Sequence, residues 1–548
     1  MVKKLFLSKG LLNSFILLIT TYSLTIAQTS YLQVLFEKYG AATEDRFGYS
    51  VALVGDLDGD GKSDFIIGAP TVDTGGVADV GAAYVYSGAN GALLYQKTGV
   101  EANDQFAISV AGTGDLNGDG RADFILGAYL ADPFNRSNAG SAFVYSGFNG
   151  SLIYQKDGAF NGDRLGGSVA AAGDVNADGR DDFIIGAERA NPAGRIDAGS
   201  AFVYSGRDSS LLYRKDGATA GDEQGFSVAG AGDLNGDGKA DFIVGAPLAS
   251  PSGLANAGSA YVYSGSDGAL LYQKDGAGSS NYMGNSVAGA GDLNGDGRPD
   301  FIVGAPGASP GGLAAAGSAY IYSGADGALL YQKGGAAIGD GLGTYGSIAG
   351  AGDVNGDGGT DFIIGAFFAN PGGRIDAGSA LLFSGMDGSL LFQVDGDSIG
   401  DNVGSVGGAE DINGDGKADI IVGAPGADPG GLNSAGSGYV YGLVATDVQA
   451  LKNSWPVRFE LSQNYPNPFN PSTTIRYFLA KREKVPLEIF NLLGERVKAL
   501  LNGEKSAGEH AVSWDGTDEK GKTLPSGIYF YRLKAKDHSE TKKMHFLK

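Results

Sequence analysis

The 548-residue chain contains no cysteine, and its three histidines all lie in the last 40 residues. Without cysteine, disulfides, thiolate nucleophiles and cysteine-ligated zinc sites are excluded. Without histidine before residue 510, most of the chain lacks the base of serine and cysteine catalytic triads. Residues 31–445 also lack a sustained helical period of apolar residues, so helices are not expected there.

Glycine and acidic residues are abundant instead. Glycine accounts for 94 of the 548 residues, or about 17%, compared with roughly 7% in ordinary proteins. It recurs at the same positions of a repeated sequence pattern, which is typical of turns. The formal net charge is −22, but residues 451–548 carry about +6 and the remainder about −28. This shift predicts a domain boundary near residue 450. The acidic body argues against nucleic acid as a partner, because phosphate binding needs clustered Lys and Arg.

The first 27 residues have the features of an export signal. Lys3 and Lys4 precede an apolar stretch over residues 11–26, and Ala27 ends a small-residue cleavage site. A membrane anchor is the alternative, but polar residues interrupt the apolar run. No other segment approaches the roughly 20 apolar residues that span a bilayer. The mature chain is therefore predicted to be exported and to have no transmembrane segment.

A nine-residue acidic loop occurs seven times, and each copy is followed by Gly-Ala. Successive loops start 59, 59, 59, 59, 61 and 58 residues apart. Each period contains four short runs rich in Val, Ile, Tyr and Phe between Gly, Asp, Asn and Pro clusters, which predicts four antiparallel strands. Four-stranded units repeated in this way are typical of a β-propeller. We therefore predict an all-β chain with a seven-bladed propeller over residues 28–445.

The two ends of the propeller predict a closed ring. Residues 31–40 are similar to the fourth strand of the other periods, and the seventh period ends after its third strand at residues 438–442. The N-terminal strand would thus complete the last blade. A superhelical stack of sheets is the alternative, but it would leave sheet edges to be capped.

The acidic loops fit calcium. Positions one, three, five and nine carry side-chain oxygens and position seven offers its main-chain carbonyl, whereas Ca²⁺ takes six to eight oxygens. The acidic twelfth residue of an EF-hand is replaced by an apolar residue in every copy, so the loop joins two strands. A metal-free turn is the alternative, but it does not account for the same oxygen spacing in seven copies. We predict about seven structural Ca²⁺ ions.

The predicted calcium ligands are the residues at these five positions of each loop. They are Asp56, Asp58, Asp60, Lys62 and Asp64; Asp115, Asn117, Asp119, Arg121 and Asp123; Asp174, Asn176, Asp178, Arg180 and Asp182; Asp233, Asn235, Asp237, Lys239 and Asp241; Asp292, Asn294, Asp296, Arg298 and Asp300; Asp353, Asn355, Asp357, Gly359 and Asp361; and Asp411, Asn413, Asp415, Lys417 and Asp419.

Phe47-Gly48 and Gly68-Ala69-Pro70, with Gly-Ala-Pro again at 245–247, 304–306 and 423–425, carry a resemblance to a known family. Residues 31–445 resemble the FG-GAP repeat propeller of integrin α-subunit heads and many bacterial surface proteins. Several copies depart from the Phe-Gly and Gly-Ala-Pro motifs. The resemblance implies adhesion or recognition through a face opposite the calcium loops, formed by the loops between strands two and three and between blades.

Three arginines are candidates for ligand binding on that face. Arg195 and Arg374 begin Arg-Ile-Asp segments in the strand two–three loops of blades three and six, and Arg136 lies in the same loop of blade two. Such residues could hold sugars or peptide carboxylates. The structural alternative is Arg–Asp pairing within the loop.

After a predicted linker at residues 446–458, residues 459–548 have alternating apolar strands, which predicts a small Ig-like β-sandwich. The run Asn-Tyr-Pro-Asn-Pro-Phe-Asn-Pro at 464–471 and Ser-Gly-Ile-Tyr-Phe-Tyr at 526–531 resemble the type A sorting domain of the type IX (Por) secretion system. The resemblance implies passage across an outer membrane through that machinery, then release or surface attachment. His510 and Trp514 are interpreted as packing residues.

These features together predict a secreted or cell-surface, calcium-binding recognition or adhesion protein with an extracellular glycan or protein ligand, and not an enzyme. Its acids are committed to the repeated loops, and no carboxylate pair stands out from the repeat as a general acid and base. A polysaccharide hydrolase or lyase, or a structural matrix protein, are the alternatives.

Overall fold

The computed structural model describes residues 29–344, 346–446, 460–461, 463–464, 466–479, 483–505, 508–534 and 539–548. They fall into two compact units, one over residues 31–444 and the other taking in residues 445–548. The predicted export signal, and the predicted linker from residue 447 onwards, lie outside the described residues. Within the described ranges, no helix is both long and apolar enough to cross a bilayer.

The larger unit contains seven four-stranded antiparallel sheets, each forming one blade. The first strands are Ser50–Leu53, Ser109–Gly114, Leu165–Gly173, Ser227–Gly232, Ser286–Gly291, Ile348–Gly352 and Ser405–Glu410. The second strands are Phe65–Ala69, Asp123–Ala128, Asp182–Ala187, Asp241–Ala246, Asp300–Ala305, Asp361–Ala366 and Asp419–Ala424.

The third strands are Ala82–Tyr86, Ser141–Tyr145, Ser200–Tyr204, Ser259–Tyr263, Ser318–Tyr322, Ser379–Phe383 and Ser437–Thr446. The outer strands are Leu93–Thr98, Leu152–Asp157, Leu211–Asp216, Leu270–Asp275, Leu329–Gly334, Leu390–Asp395 and, for the seventh blade, Thr29–Tyr39. Short 3-10 turns follow the second strands of blades two to seven, at Pro133–Asn135, Pro192–Gly194, Pro251–Gly253, Pro310–Gly312, Pro371–Gly373 and Pro429–Gly431.

The blades form a closed ring. Each first strand contacts the first strand of the next blade, and Ser405–Glu410 contacts Ser50–Leu53 to complete the circle. The first strands line a central cavity of about 600 Å³. The N-terminal strand Thr29–Tyr39 pairs with Ser437–Thr446 in the seventh sheet. The prediction of a seven-bladed β-propeller is confirmed.

The core lies between adjacent blades. Phe301 on the second strand of blade five is fully buried and packs with Ile243 and Val262 of blade four. Its ring stacks on Tyr322 of its own blade at 5.3 Å between ring centroids, and on Tyr272 of blade four at 6.0 Å. Because the second strand is buried on both faces, it is almost continuously apolar in every period.

The glycine of each repeated Gly-Ala lies against the main chain of the next blade. A Cβ atom at Gly245 would lie 2.0 Å from the carbonyl oxygen of Gly284 and 2.3 Å from Oγ of Ser227. The Ser227 hydroxyl donates a hydrogen bond to that same carbonyl at 2.8 Å. The ring closes through an equivalent contact, since a Cβ atom at Gly423 would lie 2.0 Å from the carbonyl oxygen of Gly48. Only glycine permits this approach.

The smaller unit has a three-stranded sheet of Glu460–Leu461, Thr473–Leu479 and Gly508–Trp514 and a four-stranded sheet of Glu483–Phe490, Arg496–Lys505, Gly527–Lys534 and Ser539–Phe546. Trp514 is buried in its core, and its Nε1 donates to the carbonyl of Thr517 at 3.0 Å. His510 stacks on Tyr477 at 5.2 Å between ring centroids. The predicted small Ig-like β domain is confirmed.

We expect Gly245→Ala to lower the free energy of unfolding by about 1–3 kcal/mol, because the added methyl group forces two blades apart. Urea unfolding of the mature chain measures the change. Gly278→Ala is the matched control, since a Cβ atom there has no neighbour closer than 3.5 Å. Equal effects of the two substitutions would contradict the close-approach explanation of the repeated glycine.

Candidate functional site

All seven acidic loops connect the first and second strands of their blades. In the fifth loop, residues 292–300, Asp300 opens the second strand and is fully buried. Its Oδ2 accepts the N–H of Leu293 at 2.9 Å, and its Oδ1 accepts the N–H of Gly324 at 3.0 Å. Since Gly324 follows the third strand, the carboxylate at position nine joins the acidic loop to the neighbouring hairpin.

The remaining acids of the fifth loop hold its turn. Asp292 accepts the N–H groups of Gly295 and Gly297, both at 2.8 Å. Asn294 Oδ1 accepts the N–H of Asp296 at 2.8 Å. Gly297 has a φ of +86°, a conformation that glycine adopts without strain. These bonds collect the side-chain oxygens of positions one, three and five inside one tight turn.

The first loop brings three acids together. Asp56, Asp58 and Asp64 each offer a carboxylate oxygen, and the three oxygens lie within 4.8 Å of one another. Since Ca²⁺ binds oxygens at about 2.3–2.6 Å, two oxygens up to roughly 5 Å apart can share one ion. In the other six loops position three is asparagine, whose amide oxygen is also a suitable ligand. This all-oxygen donor set fits calcium.

Burial disfavours the charge on the position-nine carboxyls. It raises the pKa to about 6 in Asp64, Asp123, Asp182, Asp241, Asp300 and Asp361. It raises the pKa of Asp419 to about 7, with the nearby carboxylates of Asp415 and Asp411 adding to the effect. A bound cation would offset this cost, because opposite charge favours the ionised form.

Position seven has a role that the sequence analysis did not predict. It is basic in every loop except the sixth, and in five of these six loops its side chain reaches the acidic loop of the preceding blade. Lys62 Nζ donates to the carbonyl of Asn413 at 2.9 Å, and Arg298 Nη1 donates to the carbonyl of Leu234 at 3.1 Å. Where position seven is glycine, the next residue, Thr360, makes the equivalent bond to Asp292. The repeated basic residue indicated a shared role for position seven, but not its partner in the preceding blade.

The three candidate arginines lie on strand two–three loops and bind main-chain carbonyls. Arg195 Nε donates to Gly217 at 3.0 Å and Arg374 Nε donates to Gly396 at 2.9 Å. Arg136 Nη1 donates to Ala159 at 3.0 Å, and its guanidinium stacks on the exposed ring of Phe134. These bonds fasten each loop to the connection that leads into the next blade. They differ from the Arg–Asp pairing considered as the alternative.

Blade three carries a cluster of charges that the sequence analysis did not identify. Arg164 lies 3.6 Å from Glu188, and Arg189 lies 3.3 Å from Glu223. Glu188 occupies the proline position of the Gly-Ala-Pro motif, and burial raises its pKa to about 7. The two arginines and two glutamates of this cluster therefore form ion pairs with one another.

The repeat segments match a known family model. The FG-GAP repeat matches residues 47–86, 106–145, 165–204, 225–263, 283–322 and 402–441. The chain carries six FG-GAP repeats. The blade without a match is the sixth, where the spacing between acidic loops is 61 residues instead of the usual 59.

The propeller is related to integrin α chains. Integrin alpha pat-2 of Caenorhabditis briggsae is 35% identical over 219 residues, which cover 35% of this chain and 17% of that protein. Integrin alpha-V of Gallus gallus is 33% identical over 224 residues, covering 38% and 20%. Integrin alpha-IIb of Homo sapiens is 32% identical over 218 residues, covering 36% and 20%. The chain thus spans about a fifth of the length of these relatives.

The C-terminal unit matches the FlgD Ig-like domain over residues 471–539. Among solved structures, PorZ of Porphyromonas gingivalis, described as an essential bacterial surface component of the type-IX secretion system, is 13% identical, with a TM-score of 0.40. The likeness covers 91% of this chain and 59% of PorZ. That score is too low to establish a shared fold.

In excess EDTA we expect the melting temperature to fall as the pH rises from about 4 to 7. A carboxyl whose pKa is raised on folding stabilises the protein while protonated, and this stability is lost as the pH passes the raised value near 6 or 7. Saturating Ca²⁺ should remove this fall in melting temperature. Each calcium site should add about 2.7 kcal/mol to the free energy of unfolding when the free Ca²⁺ concentration is 100 times the Kd of the site. Scanning calorimetry measures both effects, with equal Mg²⁺ as the control. A melting temperature unaffected by EDTA at pH 7.5 would contradict structural calcium.

Proposed function

We propose that the chain is a secreted or cell-surface calcium-binding β-propeller that recognises an extracellular glycan or protein. The observation that carries the proposal is the relationship of its FG-GAP propeller to integrin α chains, together with a face opposite the acidic loops on which the repeats diverge. The closed ring supplies a rigid base for these divergent loops, which is a common arrangement for binding sites.

In this proposal the cations are structural. The predicted ligands of each loop lie at the end of the blade where Asp300 and its equivalents also hold the third–fourth hairpin. About seven Ca²⁺ ions would neutralise a large part of the acidic charge there. Their role is to hold loops and hairpins in place, and the position-seven side chains connect each loop to that of the preceding blade.

We also propose that the chain acts without enzymatic activity. The propeller sequence has no histidine or cysteine, and two buried acids outside the loops, Glu188 and Glu223, are paired with Arg164 and Arg189. The packed positions of Trp514 and His510 are consistent with structural roles in the C-terminal unit.

The sorting role of the C-terminal unit is a further part of the proposal. Its support is the run of residues at 464–471 and 526–531 that resembles the type IX sorting domain, together with the Ig-like fold matched over residues 471–539. With an N-terminal export signal over residues 1–27, this arrangement would carry the propeller across the inner membrane and then the outer membrane.

Binding arrays test the recognition function. The labelled mature chain, residues 28–548, is applied to glycan and peptide arrays with Ca²⁺ and with EDTA. We expect selective binding to one class in Ca²⁺ and loss of binding in EDTA, because the ring that presents the loops is weakened. Release of soluble products from a polysaccharide panel would favour the hydrolase or lyase instead. Binding to neither class would contradict recognition.

Deletion of residues 460–548 tests the sorting role. In a host with type IX secretion, the truncated chain should accumulate in the periplasm, while the full-length chain reaches the medium or the cell surface. Cell fractionation and immunoblotting measure the distribution. Calcium-dependent melting of the truncated chain provides the control for folding. Unchanged secretion of the folded, truncated chain would refute the assignment.

A further inference from the structure

A cavity of about 380 Å³ opens on the face opposite the acidic loops, where blades six, seven and one meet. Its walls include Phe367, Phe368, Tyr49 and Pro425, and Arg46 lies among them. The volume falls at the lower end of the range for small-molecule sites, which are largely apolar with a few polar groups. Half of the surface of Phe368 is exposed.

This cavity is where the repeat is least regular. Phe367 takes the proline position of Gly-Ala-Pro, and Thr344 belongs to the connection that makes the sixth period longer than the others. The neighbouring chain leaves room for both rings: a Cβ atom at Gly404 would lie 2.6 Å from Cδ2 of Phe367, and one at Gly341 would lie 3.0 Å from Cδ2 of Phe368. The glycines thus hold two aromatic side chains at the surface.

Arg46 has no acidic partner in the part of the chain that the structure describes. Among the described residues its guanidinium makes no hydrogen bond or ion pair. The equivalent residue of blade three, Arg164, pairs with Glu188 at 3.6 Å. Blade one has Pro70 in the place of that glutamate. The main chain of Arg46 is nevertheless fixed, because its N–H donates to the carbonyl of Ser434 at 3.1 Å. The lining of the cavity therefore includes an exposed guanidinium that makes no ion pair with the described residues.

We propose that this cavity binds a peptide carboxylate, that of an aspartate, a glutamate or a C terminus, with an adjoining apolar side chain against Phe367 and Phe368. The proposal rests on the recognition function above and names its site and ligand chemistry. A guanidinium binds a carboxylate through paired, charge-assisted hydrogen bonds. The aromatic walls bury the apolar group, so the two parts of the ligand are recognised by different sides of the cavity.

A glycan fits the cavity less well. Carboxylates are the strongest side-chain acceptors for sugar hydroxyls, and no carboxylate is among the described lining residues. The amide Nδ2 of Asn402 already donates to the carbonyls of Asp376 at 3.2 Å and Phe367 at 3.4 Å. An acidic polysaccharide would also be repelled by a chain of net charge −22. A peptide with one carboxylate carries less negative charge than such a polysaccharide and is repelled less.

The test uses the calcium-loaded mature chain and two probes, N-acetyl-phenylalanine and its neutral amide. Titration followed by ligand-observed NMR should show about tenfold weaker binding of the amide, as expected for loss of one charged hydrogen-bonding group. Arg46→Gln should remove the preference for the carboxylate. Pro70→Glu should do the same by supplying the acid that pairs with the arginine in blade three. Phe368→Ala should weaken both probes.

Phe134→Ala is the matched control, because Phe134 is an exposed phenylalanine on a strand two–three loop outside the cavity; it should leave both affinities unchanged. Calcium-dependent melting shows that each variant is folded. The proposal would be overturned if neither probe bound, or if the acid and the amide bound equally well. It would also be overturned if Arg46→Gln kept the preference for the acid, or if glucuronate bound more tightly than N-acetyl-phenylalanine in an Arg46-dependent way. If the Arg46→Gln and Phe368→Ala variants still bind on the arrays, the recognition function is supported and only the cavity site is contradicted. If the unmodified chain binds nothing on the arrays, both the recognition function and the cavity site are contradicted.

Discussion

The ring depends on close contact between the main chains of neighbouring blades. At Gly245 the next blade's carbonyl oxygen comes so near that a Cβ atom would lie 2.0 Å from it, and the same contact at Gly423 joins the last blade to the first. This approach allows the buried aromatic residues, such as Phe301, to fill the space between two sheets. It also brings seven acidic loops side by side at one end of the ring, where their charges must be offset.

We propose that two features offset that charge. One is the predicted set of calcium ions, for which the gathered oxygens of Asp56, Asp58 and Asp64 are suitable ligands. The other is the basic side chain at position seven, which extends to the preceding loop, as Lys62 does to Asn413. Burial raises the pKa of the position-nine acids, so packing at this end of the propeller disfavours their ionised form. A bound cation would stabilise the ionised carboxylates in their buried positions.

The opposite face follows a different rule. There the residues of the FG-GAP motif vary between blades, and the substitutions interact. In blade three, Glu188 replaces proline and pairs with Arg164. At the junction of blades six, seven and one, Phe367 replaces proline, and Arg46 makes no ion pair with the described residues. A regular end thus holds the ring together while an irregular end differs in shape and charge from one blade junction to the next, which is the property that selective binding needs.

The sequence by itself determined the number of blades, the four strands in each and the class of the C-terminal unit, because a 59-residue period and alternating apolar residues are local signals. It also marked the acidic loops, whose ligand types stand close together in the chain. The tertiary structure alone decided the bridge made by position seven, the pairing of Arg164 with Glu188 and the cavity around Arg46. Each of these joins residues from different blades or loops, and such contacts depend on how the sheets are placed around the ring, which no spacing within one repeat can specify.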